Sequence, residues 1–482
     1  MPRARRAFLA SAVGCASLVL LGTAVLAIVG GAPAAAQESE PAVEPPVPVV
    51  AVLEGPGGRG YWLVSADGHV EVAGTNIVPS LGAPPELLVR VETARAGAPG
   101  ALGLWLVLAD GTEVALGDPG PEIGAPTDRP VGWLTGVGLR QLLRGNWWPD
   151  IDLACTAELP RPVRVGQTIM LSLTERQFGL AVEEARDHQI AGVMMLGAAS
   201  PFIDVRITEM QDFAGLIPLM IAVDEEGGRI QRLRGILPTL PAAAEQVGER
   251  ADVVQARFNR HGIAMSALGF TVNFAPVVDV GAGPGIGDRV VSDDPATVEA
   301  VSMQVIDGLA TGGVLPVVKH FPGHGGASAD SHDELPTTAS IDALRLRDLL
   351  PFQAAIDDGR SAVMVGHLSV PGLTDGDPAS LSEAAITGLL RGELGHDGLV
   401  VTDSLTMGAI QNRHSTSEAV ELALRAGADL ALVGGLDDLA PALARIDDAV
   451  VNGRLSVERL NEAATHVLRA KGVNACTLIG RV

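Results

Sequence analysis

Blocks of basic residues are missing from this sequence, and cysteines and aromatic residues are scarce. Lysine and arginine together number 34 against 57 acidic residues in 482, which gives a formal net charge of -23 at pH 7. Because no basic run or stripe is present to follow a phosphate backbone, the charge pattern excludes nucleic acid as a partner. The hydrophobic content of 47% is enough to fill a large core. The chain is therefore predicted to be globular, with two or three domains.

Cysteine occurs only three times, and Cys15 lies in a leader-like segment. Residues 1–36 contain three arginines, an apolar run over residues 7–29 and a row of alanines before Gln37, which is the pattern of an export signal. We expect cleavage before Gln37, although the apolar run is also long enough to anchor the chain in a bilayer. The run RRAFL resembles a twin-arginine signal. The sequence thus predicts an exported protein, extracellular or associated with the cell wall.

The two other cysteines, Cys155 and Cys476, form an even set for an oxidising compartment. A disulfide between them would join the two ends of the long segment that they flank. Two free buried thiols are the alternative.

Aromatic residues make up 3% of the chain, and all five tryptophans and the single tyrosine lie before residue 150. A proline-rich acidic linker over residues 37–50 precedes GYWLVSADGHVEVAG (residues 60–74), which returns in altered form as GLWLVLADGTEVALG (residues 103–117). Each copy has an apolar run, an Ala-Asp-Gly turn signal and a second alternating run, the pattern of a β-hairpin. We predict a small all-β repeat module over residues 51–130 and a connector over residues 131–162.

The tryptophans of this module have two predicted uses. Exposed tryptophans would stack on sugar rings, so that the repeats would contact the cell wall. Alternatively Trp62 and Trp105, which lie at equivalent positions of the two copies, fill the core of the module.

Beyond residue 162 the sequence changes to short apolar runs separated by amphipathic stretches. Strands that alternate with helical patterns predict parallel β-α-β units, and eight of them fit a (β/α)8 TIM-like barrel over residues 163–475. The predicted fold class is therefore α/β, with this barrel preceded by the all-β module. The eight runs are Ile169–Leu173, Gly192–Leu196, Pro218–Val223, Thr271–Ala275, Leu315–Val318, Ala362–Val365, Leu399–Val401 and Leu430–Val433.

Charged and imidazole side chains directly follow four of these runs. The third run ends at Asp224, the fifth at Lys319 and His320, the sixth near His367 and the seventh near Asp403. Such groups are costly to bury without a function, and a barrel brings the carboxyl ends of its strands to one mouth. We therefore expect the active site there.

The stretch KHFPGHGGASADSH, residues 319–332, holds three of the ten histidines. His320 and His324 have the spacing of two metal ligands on a helix, but the surrounding proline and glycines oppose a helix. A folded loop that gathers both histidines with Asp330 and His332 around a metal is the minor alternative. The favoured interpretation is an acid–base pair in which Asp330 orients the His332 ring. Asp403, on another strand, is then available as a nucleophile.

The motifs KHFPGHG, DSH, DEEGGRIQR and TDSLTMGAI, taken together, resemble those of the single-barrel bacterial β-N-acetylglucosaminidases of glycoside hydrolase family 3. The resemblance covers about residues 163–472. It implies a retaining mechanism with a covalent glycosyl-enzyme intermediate, in which Asp403 is the nucleophile and His332, supported by Asp330, is the general acid/base. A histidine in that role departs from the usual pair of carboxylates.

The same resemblance implies which residues hold the N-acetylglucosamine ring. They are Asp224, Arg232, Arg289, Lys319 and His320. Arg289 stands in GDRVVSDDP, where the family usually has an Arg-Ser-Phe-like sequence, and His324 is assigned to shaping its loop. Neither a metal nor an organic cofactor is required by this interpretation.

These observations predict an exported exo-β-N-acetylglucosaminidase that acts on N-acetylglucosamine-containing oligosaccharides or muropeptides of the cell wall. A β-N-acetylglucosaminide phosphorylase or a β-glucosidase of the same family is one alternative. A non-catalytic wall-binding protein is another, although the intact Asp330, His332 and Asp403 argue against it.

Overall fold

The computed structural model describes residues 153–482 throughout and, before them, the backbone of six β-strands. The predicted leader (residues 1–36), nearly all of the linker (37–50) and most of the connector (131–162) lie outside the described residues. The side chains of all five tryptophans lie outside them too. In the part of the chain that is described, none of the helices is both long and apolar enough to cross a membrane.

The six N-terminal strands form two antiparallel sheets of three strands each. The second and third strands of each sheet are the hairpins predicted over residues 60–74 and 103–117. Each sheet also has a first strand that the sequence did not predict, which adds backbone hydrogen bonds to a hairpin that is marginal alone. The strands are β1 Val49–Glu54, β2 Tyr61–Ser65, β3 Val70–Ala73, β4 Val91–Ala96, β5 Leu102–Leu108 and β6 Glu113–Asp118.

The predicted barrel is confirmed, and all eight apolar runs are strands of one parallel sheet. A parallel bridge between Val401 and Leu430 joins the two ends of the strand order. The barrel strands are β7 Ile169–Thr174, β8 Gly192–Leu196, β9 Met220–Val223, β12 Val272–Asn273, β13 Leu315–Phe321, β14 Ala362–Val365, β15 Val400–Thr402 and β16 Ala431–Val433. A short antiparallel hairpin of β10 Glu225–Gly227 and β11 Ile230–Gln231 follows β9.

Helices surround the sheet, and several begin at the capping residues that their sequences predict. Asp294, Ser415 and Ser456 each accept a hydrogen bond from a backbone amide of the first helical turn. A π-helical segment covers Ala384–Glu393. The α-helices are α1 Leu153–Glu158, α2 Arg161–Gly166, α3 Phe178–His188, α4 Ile203–Phe213, α5 Ala251–Ala267, α6 Pro295–Thr311, α7 Ile341–Leu346, α8 Leu349–Asp358, α9 Gly408–Gln411, α10 Thr416–Ala426, α11 Leu436–Val451 and α12 Val457–Ala470.

Both faces of the barrel strands are buried, which explains why they read as continuous apolar runs. Successive side chains of a strand point to opposite faces. In β14, Ala362 and Met364 belong to the cluster inside the barrel, whereas Val363 and Val365 pack against the outer helices. The sheet thus separates an inner core from an outer one.

The two ends of the segment 153–482 pack together at the amino end of the barrel. Cys155 in α1 forms a disulfide with Cys476, with the two Cα atoms 4.9 Å apart, so the first of the two predicted alternatives holds. Around it pack Leu159, Leu468 and Ile217, and the last of these lies just before β9. Helix α2 crosses the predicted boundary between connector and barrel at residue 162. The opposite, carboxyl end is therefore free for the site.

We predict that replacing both cysteines, as Cys155→Ser with Cys476→Ser, lowers the thermal unfolding temperature of the full chain. The bridge spans a sequence separation of 321 residues, and closing a loop of that length stabilises the folded state by up to about 5 kcal/mol through the entropy of the unfolded chain. Calorimetry with and without reductant measures the effect.

Reductant should lower the unfolding temperature of the parent chain and leave that of the double variant unchanged. Equal unfolding temperatures for the oxidised parent and the double variant would show that the bridge does not stabilise the barrel.

Candidate active site

The side chains predicted for the site all lie at or beyond the carboxyl ends of barrel strands. Asp224 follows β9, Lys319 and His320 lie in the last part of β13, and Asp403 follows β15. The parallel order β15-β14-β13-β12-β9 makes these strands neighbours along one arc of the barrel. The structure therefore brings the strand-end residues to a single mouth, as parallel barrel strands require.

Lys319 is the centre of an ion-pair network at this mouth. Its Nζ lies 2.7 Å from Asp224 Oδ1 and 2.8 Å from Glu226 Oε1, and its side chain is only 3% exposed. Arg289 binds both oxygens of Glu226, with Nη2 at 2.7 Å and Nε at 2.9 Å. Two cations and two carboxylates are thus matched, which compensates for the loss of hydration on burial.

The network holds Glu226 and Lys319 in their charged forms. Burial opposes ionisation of Glu226, but Lys319 and Arg289 outweigh it and lower the pKa of Glu226 to about 2. Burial likewise lowers the pKa of Lys319, but Asp224 and Glu226 raise it above its ordinary value. The mouth therefore presents fixed charges across the neutral pH range.

Arg232 is delivered to the mouth by the β10–β11 hairpin. Its Nη2 lies 4.0 Å from Asp224 Oδ2, and the side chain is partly exposed. The buried Glu225 carboxylate accepts hydrogen bonds from the backbone amides of Arg232 and Leu233 at 2.7 and 3.0 Å, which fixes the loop. Gly227 has a φ of 102°, and a Cβ there would lie 2.3 Å from Pro241 O, so only glycine fits this turn.

His320 is oriented by Asp279, which the sequence analysis missed. The ring Nδ1 of His320 lies 2.7 Å from Asp279 Oδ2, and its backbone amide also donates to this carboxylate. The His324 amide donates to Asp279 Oδ1 at 2.6 Å. Burial disfavours ionisation, but His320, its ring hydrogen bond and His324 lower the pKa of Asp279 below its ordinary value. The opposite ring nitrogen, His320 Nε2, lies 3.5 Å from Arg289 Nη2.

The imidazole rings of His320 and His324, in and after the end of β13, have separate partners. His324 is buried, and its Nε2 lies 3.1 Å from Ser331 Oγ, whereas His320 contacts Asp279. The metal alternative is therefore not supported by this arrangement. Within the described residues, no group of three or more histidine, cysteine, aspartate or glutamate side chains is arranged to hold a metal ion.

Asp330 and His332 form the predicted pair at the rim of the mouth. His332 Nδ1 lies 2.7 Å from Asp330 Oδ1, and the His332 amide donates to the same oxygen at 3.0 Å. Burial acts against ionisation of Asp330, but the His332 amide and ring lower its pKa. The His332 side chain is 66% exposed, and its Nε2 contacts no hydrogen-bonding group of the described chain. That nitrogen is free to exchange a proton with a bound molecule.

Asp403 is half-buried at the end of β15. Its amide donates to Val365 O at 2.9 Å, and its Oδ1 accepts from the Ser404 amide at 2.7 Å. Burial favours the protonated acid, but His320 and His367, followed by the Ser404 amide and Lys319, lower the pKa of Asp403 to about 2. The carboxylate is therefore ionised at neutral pH and can act as a nucleophile.

The loop that carries His332 is fastened to the segment that follows Asp403. The Gly408 amide donates to His332 O at 2.9 Å, and the Ala409 amide donates to Ser331 O at 3.2 Å. A Cβ at residue 408 would lie 2.6 Å from His332 O and 2.4 Å from Asp333 O. Because only glycine permits this approach, the segment TMGAI (residues 406–410) fixes the position of the Asp330–His332 loop relative to Asp403.

Three further residues contribute to the site without having been predicted for it. They are Glu226, Asp279 and His367. Glu226 lies two residues after Asp224, and Asp279 interrupts the apolar run VVDV. The sequence signal that could have identified both residues was an acidic side chain next to the end of an apolar strand. His367 was noted at a strand end but not assigned; it is fully buried, with Nδ1 2.7 Å from Ser380 Oγ and Nε2 2.8 Å from Ser404 O.

Comparison with known proteins identifies relatives of the barrel. The sequence model described as "Glycosyl hydrolase family 3 N terminal domain" matches residues 163–470. The β-hexosaminidase LpqI of Mycobacterium tuberculosis is 40% identical over 314 residues, which are 61% of this chain and 81% of that protein.

Two solved structures are similar to the barrel. A glycosyl hydrolase of family 3 from Mycobacterium smegmatis aligns with a TM-score of 0.62 and 38% identity, over 65% of this chain and 98% of that one. A family 3 β-N-acetylglucosaminidase from Paenibacillus sp. aligns with a TM-score of 0.61 and 33% identity, over 65% and 62% of the two chains. By its sequence and by its fold, the chain belongs to glycosyl hydrolase family 3.

Proposed function

We propose that the protein is an exported, retaining exo-β-N-acetylglucosaminidase that removes terminal β-linked N-acetylglucosamine from peptidoglycan fragments. The observation that carries the proposal is the pairing of an ionised carboxylate, Asp403, with an exposed Asp330–His332 pair whose loop is hydrogen-bonded to the segment after Asp403. A β-hexosaminidase and a family 3 β-N-acetylglucosaminidase among the relatives support β-N-acetylhexosaminidase activity.

In the first chemical step the Asp403 carboxylate attacks the anomeric carbon and the bond from that carbon to the leaving oxygen breaks. His332 Nε2 donates its proton to the leaving oxygen, and the sugar becomes an ester of Asp403. Asp330, at 2.7 Å from Nδ1, stabilises the protonated ring that this step requires.

In the second step water attacks the anomeric carbon from the face that the leaving group vacated. His332, now neutral, takes a proton from that water, the ester bond breaks and Asp403 is regenerated. Two inversions at one carbon give net retention. The exposed position of His332 suits this role, because its Nε2 must face first the leaving group and then water.

The ion-pair network provides the groups that hold the terminal sugar. The half-buried ends of Asp224, Arg232 and Arg289, together with Lys319 and His320, offer both donors and acceptors to hydroxyl groups. A site of this kind discriminates against analogues that leave its buried polar groups unpaired. The choice of an N-acetylated sugar is inferred from the relatives, and the peptidoglycan source is inferred from the predicted export signal.

The function is tested by product release from the purified protein. We expect release of N-acetylglucosamine from its 4-nitrophenyl β-glycoside and from the disaccharide with N-acetylmuramic acid, and much slower hydrolysis of the corresponding glucoside. Addition of phosphate should leave free N-acetylglucosamine as the product, because water is the proposed acceptor. Absence of release from both substrates would refute the enzymatic function, and a sugar phosphate product would favour the phosphorylase.

Replacement of the nucleophile gives a prediction on kcat. Asp403→Ala should lower kcat on the 4-nitrophenyl glycoside by about 10⁴-fold or more, because no carboxylate remains to form the ester. Azide should restore part of the turnover by occupying the space of the carboxylate, and should yield an α-glycosyl azide identifiable by NMR.

The exposed carboxylate of Asp212 on α4 supplies a matched control, and Asp212→Asn should keep parental kcat. Near-parental turnover of Asp403→Ala would remove this residue as nucleophile. A β-glycosyl azide would contradict attack on the face that Asp403 is proposed to occupy.

Removal of the acid is predicted to depend on the leaving group. His332→Ala should lower kcat/KM about 10²- to 10⁴-fold for disaccharides, whose leaving oxygen needs a proton. For a 2,4-dinitrophenyl glycoside, whose leaving group departs as an anion, kcat/KM should change much less. The comparison uses kcat/KM because it does not contain the hydrolysis of the ester. A loss of equal size on both substrates would contradict the acid role.

A further inference from the structure

The Asp330–His332 pair is exposed, but the residue between its two members is buried. The side chains of Asp330 and His332 are 38% and 66% exposed. Ser331 is only 3% exposed, so its side chain is enclosed by the protein while its two neighbours face the solvent. The contacts that hold Ser331 therefore also determine where the pair lies.

Ser331 has a backbone contact and a side-chain contact. Its carbonyl oxygen accepts a hydrogen bond from the Ala409 amide at 3.2 Å, which ties the loop to the segment after Asp403. Its hydroxyl oxygen lies 3.1 Å from His324 Nε2, which ties the same loop to the chain seven residues earlier. The hydroxyl contact is the one that a side-chain substitution can remove.

The His324 ring is closely packed. The residue is 2% exposed, and its backbone amide donates to Asp279 Oδ1 at 2.6 Å. The loop between β12 and α6 packs against the ring: a Cβ at residue 285 would lie 3.1 Å from His324 Cε1 and 3.1 Å from Asp330 Oδ1, closer than ordinary van der Waals contact. The ring and the Asp330 carboxylate therefore pack against the same glycine, Gly285.

The His324 ring is neutral and donates its proton to Ser331. Burial lowers the pKa of His324 below its ordinary value, and the carboxylates nearby do not offset this effect. His324 Nδ1 is buried and has no hydrogen-bonding partner within residues 153–482. An N–H at that position would be a buried donor without an acceptor, which is rare and costly. The ring proton therefore belongs on Nε2, where Ser331 Oγ accepts it.

We propose that His324 and Ser331 are positioning residues for the acid–base step. The hydrogen bond between them holds the Asp330–His332 loop in the place where His332 Nε2 reaches the leaving oxygen. Neither side chain contacts the substrate, and both act through His332. This inference rests on the proposed glycosidase function and adds the contact that holds its proton donor in place.

The test measures how the loss of kcat/KM depends on the leaving group. Ser331→Ala should lower kcat/KM about tenfold for N-acetylglucosaminyl-N-acetylmuramic acid, equivalent to about 1.4 kcal/mol, because a displaced His332 protonates the leaving oxygen poorly. For the 2,4-dinitrophenyl glycoside, whose leaving group needs no proton, the fall should be less than about twofold. The Ki of N-acetylglucosamine as a competitive inhibitor should not change, because the proposed sugar-binding residues keep their contacts.

Two variants of His324 give a second measurement. His324→Gln keeps an N–H at about the place of Nε2 and should retain at least about half of the parental kcat/KM for the disaccharide. His324→Leu has no donor and should reproduce the leaving-group dependence of Ser331→Ala. Because both changes remove one hydrogen bond, combining His324→Leu with Ser331→Ala should lower kcat/KM little more than either change alone.

Ser361 supplies a matched control, as a second buried serine whose hydroxyl has an acceptor. It is 2% exposed and directly precedes β14, at the amino end of the barrel, and its Oγ lies 3.5 Å from Ala355 O. Ser361→Ala should leave the ratio of kcat/KM for the two substrates at the parental value, whatever its effect on the thermal unfolding temperature.

Equal losses on the two substrates, or no loss from Ser331→Ala, would overturn the positioning role and leave the glycosidase function intact. Fully additive losses in the double variant would also overturn it, because the two side chains would then act separately. If Ser331→Ala does not fold, the comparison of His324→Gln with His324→Leu decides in the same way. A parent enzyme that cleaves neither substrate would instead overturn the proposed function.

Discussion

The architecture of the mouth depends on one pair of buried contacts. The ammonium group of Lys319 lies between the carboxylates of Asp224 and Glu226 and forms an ion pair with each. A buried charge without a partner is severely destabilising, so the strand that carries Lys319 and the loop after β9 must keep their relative positions. Arg289 completes the charge balance through Glu226. Since Asp279 orients His320 next to Lys319, the loop after β12 is tied to the same arrangement. The proposed sugar-binding groups, which come from three segments, are therefore held in place by contacts within the protein itself.

The barrel was predictable because its strands are buried on both faces. The sequence of each strand is therefore a continuous run of apolar residues. All eight runs became strands, although β12 is regular only over Val272–Asn273. Beyond it the pairing with β13 continues irregularly through a bridge from Val277 to Lys319, which sequence periodicity does not reveal. The first strand of each N-terminal sheet was missed because it lies outside the repeated hairpin pattern. The two first strands, VVAVLE and VETARA, do not resemble each other in sequence.

Some residues of the candidate site were predictable from the sequence, and others were not. Asp224, Lys319, His320 and Asp403 were found because a charged or imidazole side chain directly after an apolar run is conspicuous. Asp279 was not found, because its meaning comes from His320, forty-one positions away in sequence, and from a turn that brings the two together. The close approach of Gly408 to the His332 loop is equally non-local. The sequence thus locates the candidate reactive groups, and only the fold discloses the groups that hold them in place.

The disulfide between Cys155 and Cys476 has a consequence for the resistance of the protein to proteolysis. It makes the barrel a covalent ring, closed at the end opposite the mouth. Loops at a mouth must stay accessible to substrate, and accessible loops are where proteases cut. A single cut in such a loop would open the ring without releasing either fragment, so the nicked strands and helices would remain tethered to one another. The disulfide would therefore keep the barrel in one piece after a cut in one of the exposed loops at the mouth.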